Sequence, residues 1–281
     1  MNRNKKILTG LNHEDYEHPF DKKALAALEK TPGLKLAGSY ITKHTIERIY
    51  TIQYTGSNIR VTKQNYPAIY EMMEYACQIL DIPQIPDFYL QWGYNINGFT
   101  TGAEKPLIVL NSGVIDLCDD DEKMFIIGHE CGHIKSMHML YHMMAQVFNI
   151  IIDAIPFGNI AAAPLQYALY YWSRMSEFTA DRAGLLCCQN KDAAVRAFMK
   201  MAGMPVKYFT EMNNNAFIHQ AQEFKQLDYE TLNKVVKFIS IMDSSHPWTV
   251  MRAAELLNWV NGGEYNRIVV SHNRKIKIVR K

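Results

Sequence analysis

The sequence predicts an α+β fold dominated by helices, with a small β-sheet in its N-terminal part and one long helix carrying paired histidines. Three observations predict it. The clearest strand-like segments fall before residue 118, apolar residues recur at helical intervals through most of the chain beyond it, and His129 and His133 stand four residues apart inside one helical stretch. A sheet segregated from a run of helices is the α+β pattern.

Lys22 to Glu29 reads as a short helix stopped by Thr31-Pro32-Gly33. Ser39 to Tyr54, rich in Ile, Thr and Tyr, predicts a strand or hairpin. From Tyr66 to Leu80 the apolar residues Tyr66, Ile69, Tyr70, Met73, Ala76, Cys77 and Leu80 share one helical face, with Pro67 in the first turn. Asp87 to Trp92 and Pro106 to Leu110 predict short strands around the turn-rich Gly93 to Glu104. The acidic run Asp119 to Glu122 suits the start of the histidine-bearing helix. Further helices are predicted at Ile160 to Cys188, Lys191 to Met201, Val206 to Phe224, Tyr229 to Ile241 and Trp248 to Trp259. One domain is expected over residues 1–281, with a mixed part (1–118), a helical part (119–260) and a basic tail (261–281).

Composition bounds the function classes. With 281 residues, 48% of them hydrophobic and 21% charged, the chain can bury a substantial core, which excludes a disordered protein. Its net charge is +2, and the basic Asn273 to Lys281 reads as a solvated tail or edge strand, so no nucleic-acid partner is expected. The N-terminus is basic but lacks an apolar core before the polar Asn12 to Asp15, so no secretory signal is expected. Five cysteines without disulfide or zinc-ribbon spacing point to reduced thiols and a cytoplasmic location. Met139 to Trp172 is the most apolar stretch. His142, Gln146, Asn149, Asp153, Asn159, Pro164 and Gln166 interrupt it, whereas a spanning helix needs about twenty mostly apolar residues. Buried helices are expected there, with a membrane-dipping hairpin, and so a peripheral membrane contact, as the alternative.

Chemistry gathers at His129-Glu130-Cys131-Gly132-His133. Imidazoles four residues apart lie on one helix face and can share a tetrahedral zinc ion. Glu130, beside the first ligand, is placed to act as general base on a metal-bound water. Cys131 projects away from the face the imidazoles share. Gly128 and Gly132 allow another backbone or a substrate to come close. The candidate third ligand is Glu177, and Asp181, one turn further on, is a candidate acceptor for the free ring N–H of a ligand histidine. Two His, one Glu and an open position describe a catalytic zinc site rather than a structural one.

Three separated motifs, His129 to His133, Ser173-Arg174-Met175-Ser176-Glu177-Phe178-Thr179-Ala180-Asp181, and Ser245-His246-Pro247-Trp248-Thr249-Val250-Met251-Arg252, resemble those of the zinc peptidases that include the HtpX protease and the CAAX prenyl endopeptidases. The resemblance implies a zincin-type metallopeptidase fold, one zinc ion on His129, His133 and Glu177, and a protein or peptide substrate. It further implies that His246 stabilises the oxyanion and that Arg252 holds carboxylates or substrate backbone near the metal. Asn97-Gly98-Phe99 resembles the family's Asn-Ala-Phe turn, with Gly in place of Ala. By the same resemblance Leu107, Ile108, Val109 and Leu110 form a strand whose edge pairs with extended peptide, although an ordinary core strand fits those residues equally well. Many relatives span membranes or are exported, and neither feature is expected here.

The expected activity is hydrolysis of internal peptide bonds. A non-catalytic, zinc-stabilised protein that only holds peptides is the second reading. An aminopeptidase would need an acidic motif for the substrate's free amine, and none is recognisable before the zinc helix. The sequence gives no indication of oligomeric state.

Overall fold

A computed structural model describes residues 4–31, 34, 38, 46–153, 158–226 and 247–272. After a 3-10 turn at His13–Asp15, a proline in the first turn opens α1 (Pro19–Leu28), which His18 caps by accepting the N–H of Phe20 on Nδ1. There come next α2 (Ile46–Ser57), β1 (Ile59–Arg60), α3 (Pro67–Ile79), β2 (Asp87–Gln91), β3 (Gly98–Thr101) and β4 (Leu107–Asn111). Helices make up the rest: α4 (Ser112–Leu117), α5 (Asp120–Lys135), α6 (Met139–Asp153), α7 (Gly158–Cys188), α8 (Lys191–Met201), α9 (Asn214–Gln226), α10 (Thr249–Asn261) and α11 (Glu264–Ser271), with a 3-10 stretch at Val206–Glu211. The fold is the helix-dominated α+β, zincin-type arrangement expected.

The sheet runs β1-β2-β4-β3, with β2 and β4 parallel and the outer pairs antiparallel. Its centre is β4, buried throughout. Ile108 and Leu110 join Phe88 and Phe125 in the main core, while Leu107 and Val109 pack with Tyr89 on the other face, beside Tyr54 and Phe99. An unbroken apolar run marks a strand covered on both faces. The expectation of an edge at Leu107, Ile108, Val109 and Leu110 is therefore corrected: β2 and β3 occupy both of its sides, and the edge nearer the histidine helix is β3.

Other expectations change for equally local reasons. The part of Ser39 to Tyr54 that is described forms α2, not a strand; residues 39–45 lie outside the described residues. Tyr50, Thr51 and Tyr54 are half-buried or exposed along one helix, the Tyr50 and Tyr54 rings stack at 6.1 Å, and Tyr54 meets Phe99 at 5.0 Å. Packing of those tyrosines overrides the β preference of Ile and Thr. Val206 to Phe224 divides in two where the side chain of Asn213 caps α9 through the N–H of Ala216. The proposed basic tail contributes α11, with Ile268 and Val269 in the main core. Tyr229 to Ile241, His246 and 273–281 lie outside the described residues.

Two helices fix the site. The first, α5, starts at a capping box, in which Asp119 accepts the N–H of Glu122 and Glu122 accepts that of Asp119. From Met124 to His133 it is buried on every side, so its polar residues need partners inside the protein. The second, α7, crosses it with almost no space between. A Cβ on Gly128 would lie 2.4 Å from that of Cys187, one on Gly132 2.5 Å from that of Ala183, and one on Gly184 2.7 Å from the carbonyl oxygen of Phe125. Small residues on both helices thus bring the backbones together. A second core cluster ties α1 (Ala24, Leu28) to α6 (Met143, Met144) and α7 (Leu169, Trp172, Phe178).

Candidate active site

On α5, His129 and His133 point the same way, and α7 lays Glu177 across them. The two Nε2 atoms are 3.2 Å apart, and each lies 3.4 Å from a carboxylate oxygen of Glu177. One turn along α7, Asp181 Oδ1 stands 3.0 Å from Nδ1 of His129. A carboxylate accepts, so that ring nitrogen carries the proton and leaves Nε2 as a lone pair. Arg252, from α10, grips Asp181 with a fork: Nε donates to Oδ2 at 2.8 Å and Nη2 to Oδ1 at 2.6 Å. Its Nη1 is 3.4 Å from Glu177.

The donor set suits a metal cation. Two imidazole lone pairs and a carboxylate oxygen fall within 4.8 Å of one another, all buried, and acceptors so placed repel unless a positive charge lies among them. Without that charge the same groups shift one another's affinity for protons. Burial opposes charge on His129, but the carboxylates of Asp181 and Glu177 outweigh it and raise its pKa to about 10. Burial then drives His133 down to about 4, aided by the charge on His129. Asp181 is held below the usual carboxylate range: burial pushes it up, and the Arg252 charge and hydrogen bonds overcome that.

Glu130 faces β3. Its Oε2 accepts the Thr100 hydroxyl at 2.7 Å, and burial raises its pKa to about 7, against the lowering influence of His129 and of the Thr100 bond. A cavity of about 360 Å³ opens on Glu130, His129, His133, Glu177 and Arg252. Asn97 lines it, as do Gly98 and Thr100; Leu107 to Leu110 do not. Gly98 also answers the Gly-for-Ala departure, because a Cβ there would sit 2.4 Å from Leu110 Cδ2 and 3.2 Å from Glu130 Oε1. Cys131 turns away from the histidines, with Sγ 3.6 Å from the sulfur of Met73.

Three partners escaped the sequence reading. Thr100 lay in a segment read as turns. His138 meets His133, Nδ1 to Nδ1, at 3.0 Å, and its Nε2 lies 3.2 Å from Oδ2 of Asp21, far away on α1. His142, read only as a polar interruption, places its ring nitrogens 2.9 Å from Ser176 Oγ and 3.2 Å from Ser173 Oγ. A His at five and again at nine residues beyond His133 was the one available signal, and it has no motif attached.

The model of peptidase family M48 matches residues 63–260. The plastoglobule-localized metallopeptidase 48, chloroplastic, of Arabidopsis thaliana is 30% identical over 272 residues, covering 96% of this chain and 79% of that protein. A protease HtpX homolog of Trichormus variabilis is 23% identical over 230 residues, 70% of this chain and 75% of its own length. Another, of Fusobacterium nucleatum, is 26% identical over 126 residues, 44% of this chain and 39% of its own. No solved structure matches.

Proposed function

The chain belongs to peptidase family M48, which makes it an HtpX-like, metal-dependent protease acting on proteins or peptides, and from that premise we propose a zinc endopeptidase with His129, His133 and Glu177 as ligands of one zinc ion and Glu130 as general base. The observation that carries the proposal is the convergence of three ligand atoms within 4.8 Å, with the Glu130 carboxylate opening on the same cavity. When bound, zinc supplies a Lewis acid that polarises a carbonyl and acidifies water.

The protein's own groups do the rest. Glu130, held by Thr100, takes the proton of the attacking water on its carboxylate and passes it to the leaving amine. Asp181 keeps His129 in the tautomer whose Nε2 can ligate, and Arg252 keeps Asp181 charged and oriented. The free side of β3 supports main-chain pairing with extended substrate, beside Asn97, in place of the strand first assigned that task. His246 retains the oxyanion role that the resemblance implies.

We take the whole chain as one domain, since Leu8 and Ile268 share a core, working in the cytoplasm with its thiols reduced and buried. No helix among the described residues is long and apolar enough to cross a membrane. A peripheral membrane contact through 139–172 has support in the exposed Tyr167 and Tyr171, one turn apart on α7. Flotation with liposomes tests it.

Casein digestion followed by mass spectrometry tests the activity. Internal cuts, abolished by a zinc chelator and restored by zinc, are expected. Stepwise loss of N-terminal residues would point instead to an aminopeptidase, and binding without cleavage to a peptide-holding protein.

A further inference from the structure

The turn that ends α5 carries a residue back over the metal ligand it has just passed. Met137 has φ +56°, in the left-handed region; its N–H donates to the carbonyl of Ile134, and the N–H of His138 donates to that of His133. This is the Schellman arrangement, in which the second residue past the C-cap packs over the third from last of the helix. An apolar pair usually meets there, but here it is two imidazoles. His138 is almost wholly buried, with Trp172 edge-on to its ring at 5.4 Å.

The hydrogen-bond directions along this contact are determined from its far end. Asp21, 1% exposed and in the first turn of α1, accepts on Oδ2 both the hydroxyl of Thr179 at 2.6 Å and Nε2–H of His138 at 3.2 Å. The hydroxyl of Thr179 is free to donate because its oxygen accepts the N–H of His18 at 3.0 Å. With the Nε2 proton of His138 turned to Asp21, its Nδ1 offers the lone pair, and the 3.0 Å contact places the proton on Nδ1 of His133. Nε2 of His133 is then a lone pair facing Glu177 and His129. His142 does not compete for the ligand, since its own ring nitrogens meet Ser173 and Ser176.

We infer that His138 and Asp21 are positioning residues for His133, holding its ring as the Nδ1–H tautomer with Nε2 presented to the metal. His133 thereby receives from α1 what His129 receives from Asp181. Asp21 lies outside residues 63–260, the part matched by the family model, so the N-terminal segment supplies a working part of the site. The inference rests on the proposed metal reading. It also replaces the other arrangement the geometry offers, a second metal ion on His133, His138 and His142.

The test is zinc affinity, measured by competition with a chromogenic chelator on the full chain, for wild type, His138→Leu, Asp21→Asn and the double variant. Thermal melting of each metal-free protein runs alongside. One zinc per wild-type chain is expected, with affinity about 10–100-fold weaker in each single variant and no further loss in the double. Variants whose metal-free form melts like wild type and whose affinity lies within about twofold of it overturn the inference, leaving the metal reading intact. A wild type that binds no zinc overturns both, and two zinc ions per chain overturn the relay. Should Asp21→Asn fail to fold, Thr179→Val decides. It removes one bond to Asp21 at nearly constant shape, and a severalfold loss of zinc affinity supports the relay where an unchanged value rejects it.

Discussion

Around the two histidines of α5, specific neighbours set the charge of Asp181 and of Glu130. Asp181 stays ionised against burial because Arg252 grips it, and Glu130 is pushed towards neutrality by burial and pulled back by His129 and Thr100. Thr100→Val removes a hydrogen bond made to the charged form of Glu130, so the pKa of the base rises and the acid limb of the kcat/KM profile moves to higher pH. A charge-assisted bond of about 1.5–3 kcal/mol raises that pKa by about one to two units, so the loss at neutral pH is roughly sevenfold or more, with zinc content unchanged. A pH–rate profile with unmoved limbs would contradict this. At this scale the sequence was legible wherever spacing speaks: His129 with His133, and Glu177 with Asp181, each lie one helical turn apart. Thr100, His138 and Asp21 were not, because they reach the site through strand pairing, a helix-ending turn and a contact between distant helices. His246 lies outside the described residues.

At the scale of elements, the close crossing of α5 and α7 brings the three proposed ligands to one centre. Gly132→Val would drive a branched side chain into Ala183 and the backbone of Ala180, where a Cβ alone meets atoms at 2.5 Å and 3.2 Å. Overpacking of this kind costs about 1–3 kcal/mol, and the helices must part to relieve it, carrying Glu177 away from the histidines. Lower melting temperature together with weaker zinc binding is expected; a variant that loses stability but binds zinc like wild type would show that the crossing does not set the site. Most helices could be read from apolar periodicity and from start signals such as the cap Asp119 and the first-turn Pro67. The failures share a cause. With only four residues, β3 has too little pattern to oppose its flanking turn signals, and α2 is helical through contacts its own composition does not announce.

For the molecule as a whole, buried carboxylates make stability depend on pH. Asp21 and Asp181 both titrate below the ordinary carboxylate range in the folded state, overcoming the opposing effect of burial. A group with a depressed folded pKa contributes stability that is fully present above its unfolded pKa and lost as pH falls through the folded one. Through these two carboxylates the metal-free protein should lose stability below about pH 4, while His129, raised to about 10, contributes stability that is lost as pH rises from neutrality towards that value. Asp181→Asn should flatten that acid decline, and an equally steep decline in the variant would refute the assignment. The fold class was legible at this scale because strands and helices are segregated along the chain. The order of the sheet was not, since it depends on which side of β4 each neighbour takes.

The proposed site works metal-loaded, with Glu130 moving the proton. This is tested most directly by measuring zinc content and casein cleavage on the same samples of wild type and Glu130→Gln. One zinc per chain in both, with cleavage only in wild type, is the predicted result. Cleavage by the zinc-loaded Glu130→Gln protein would contradict the account.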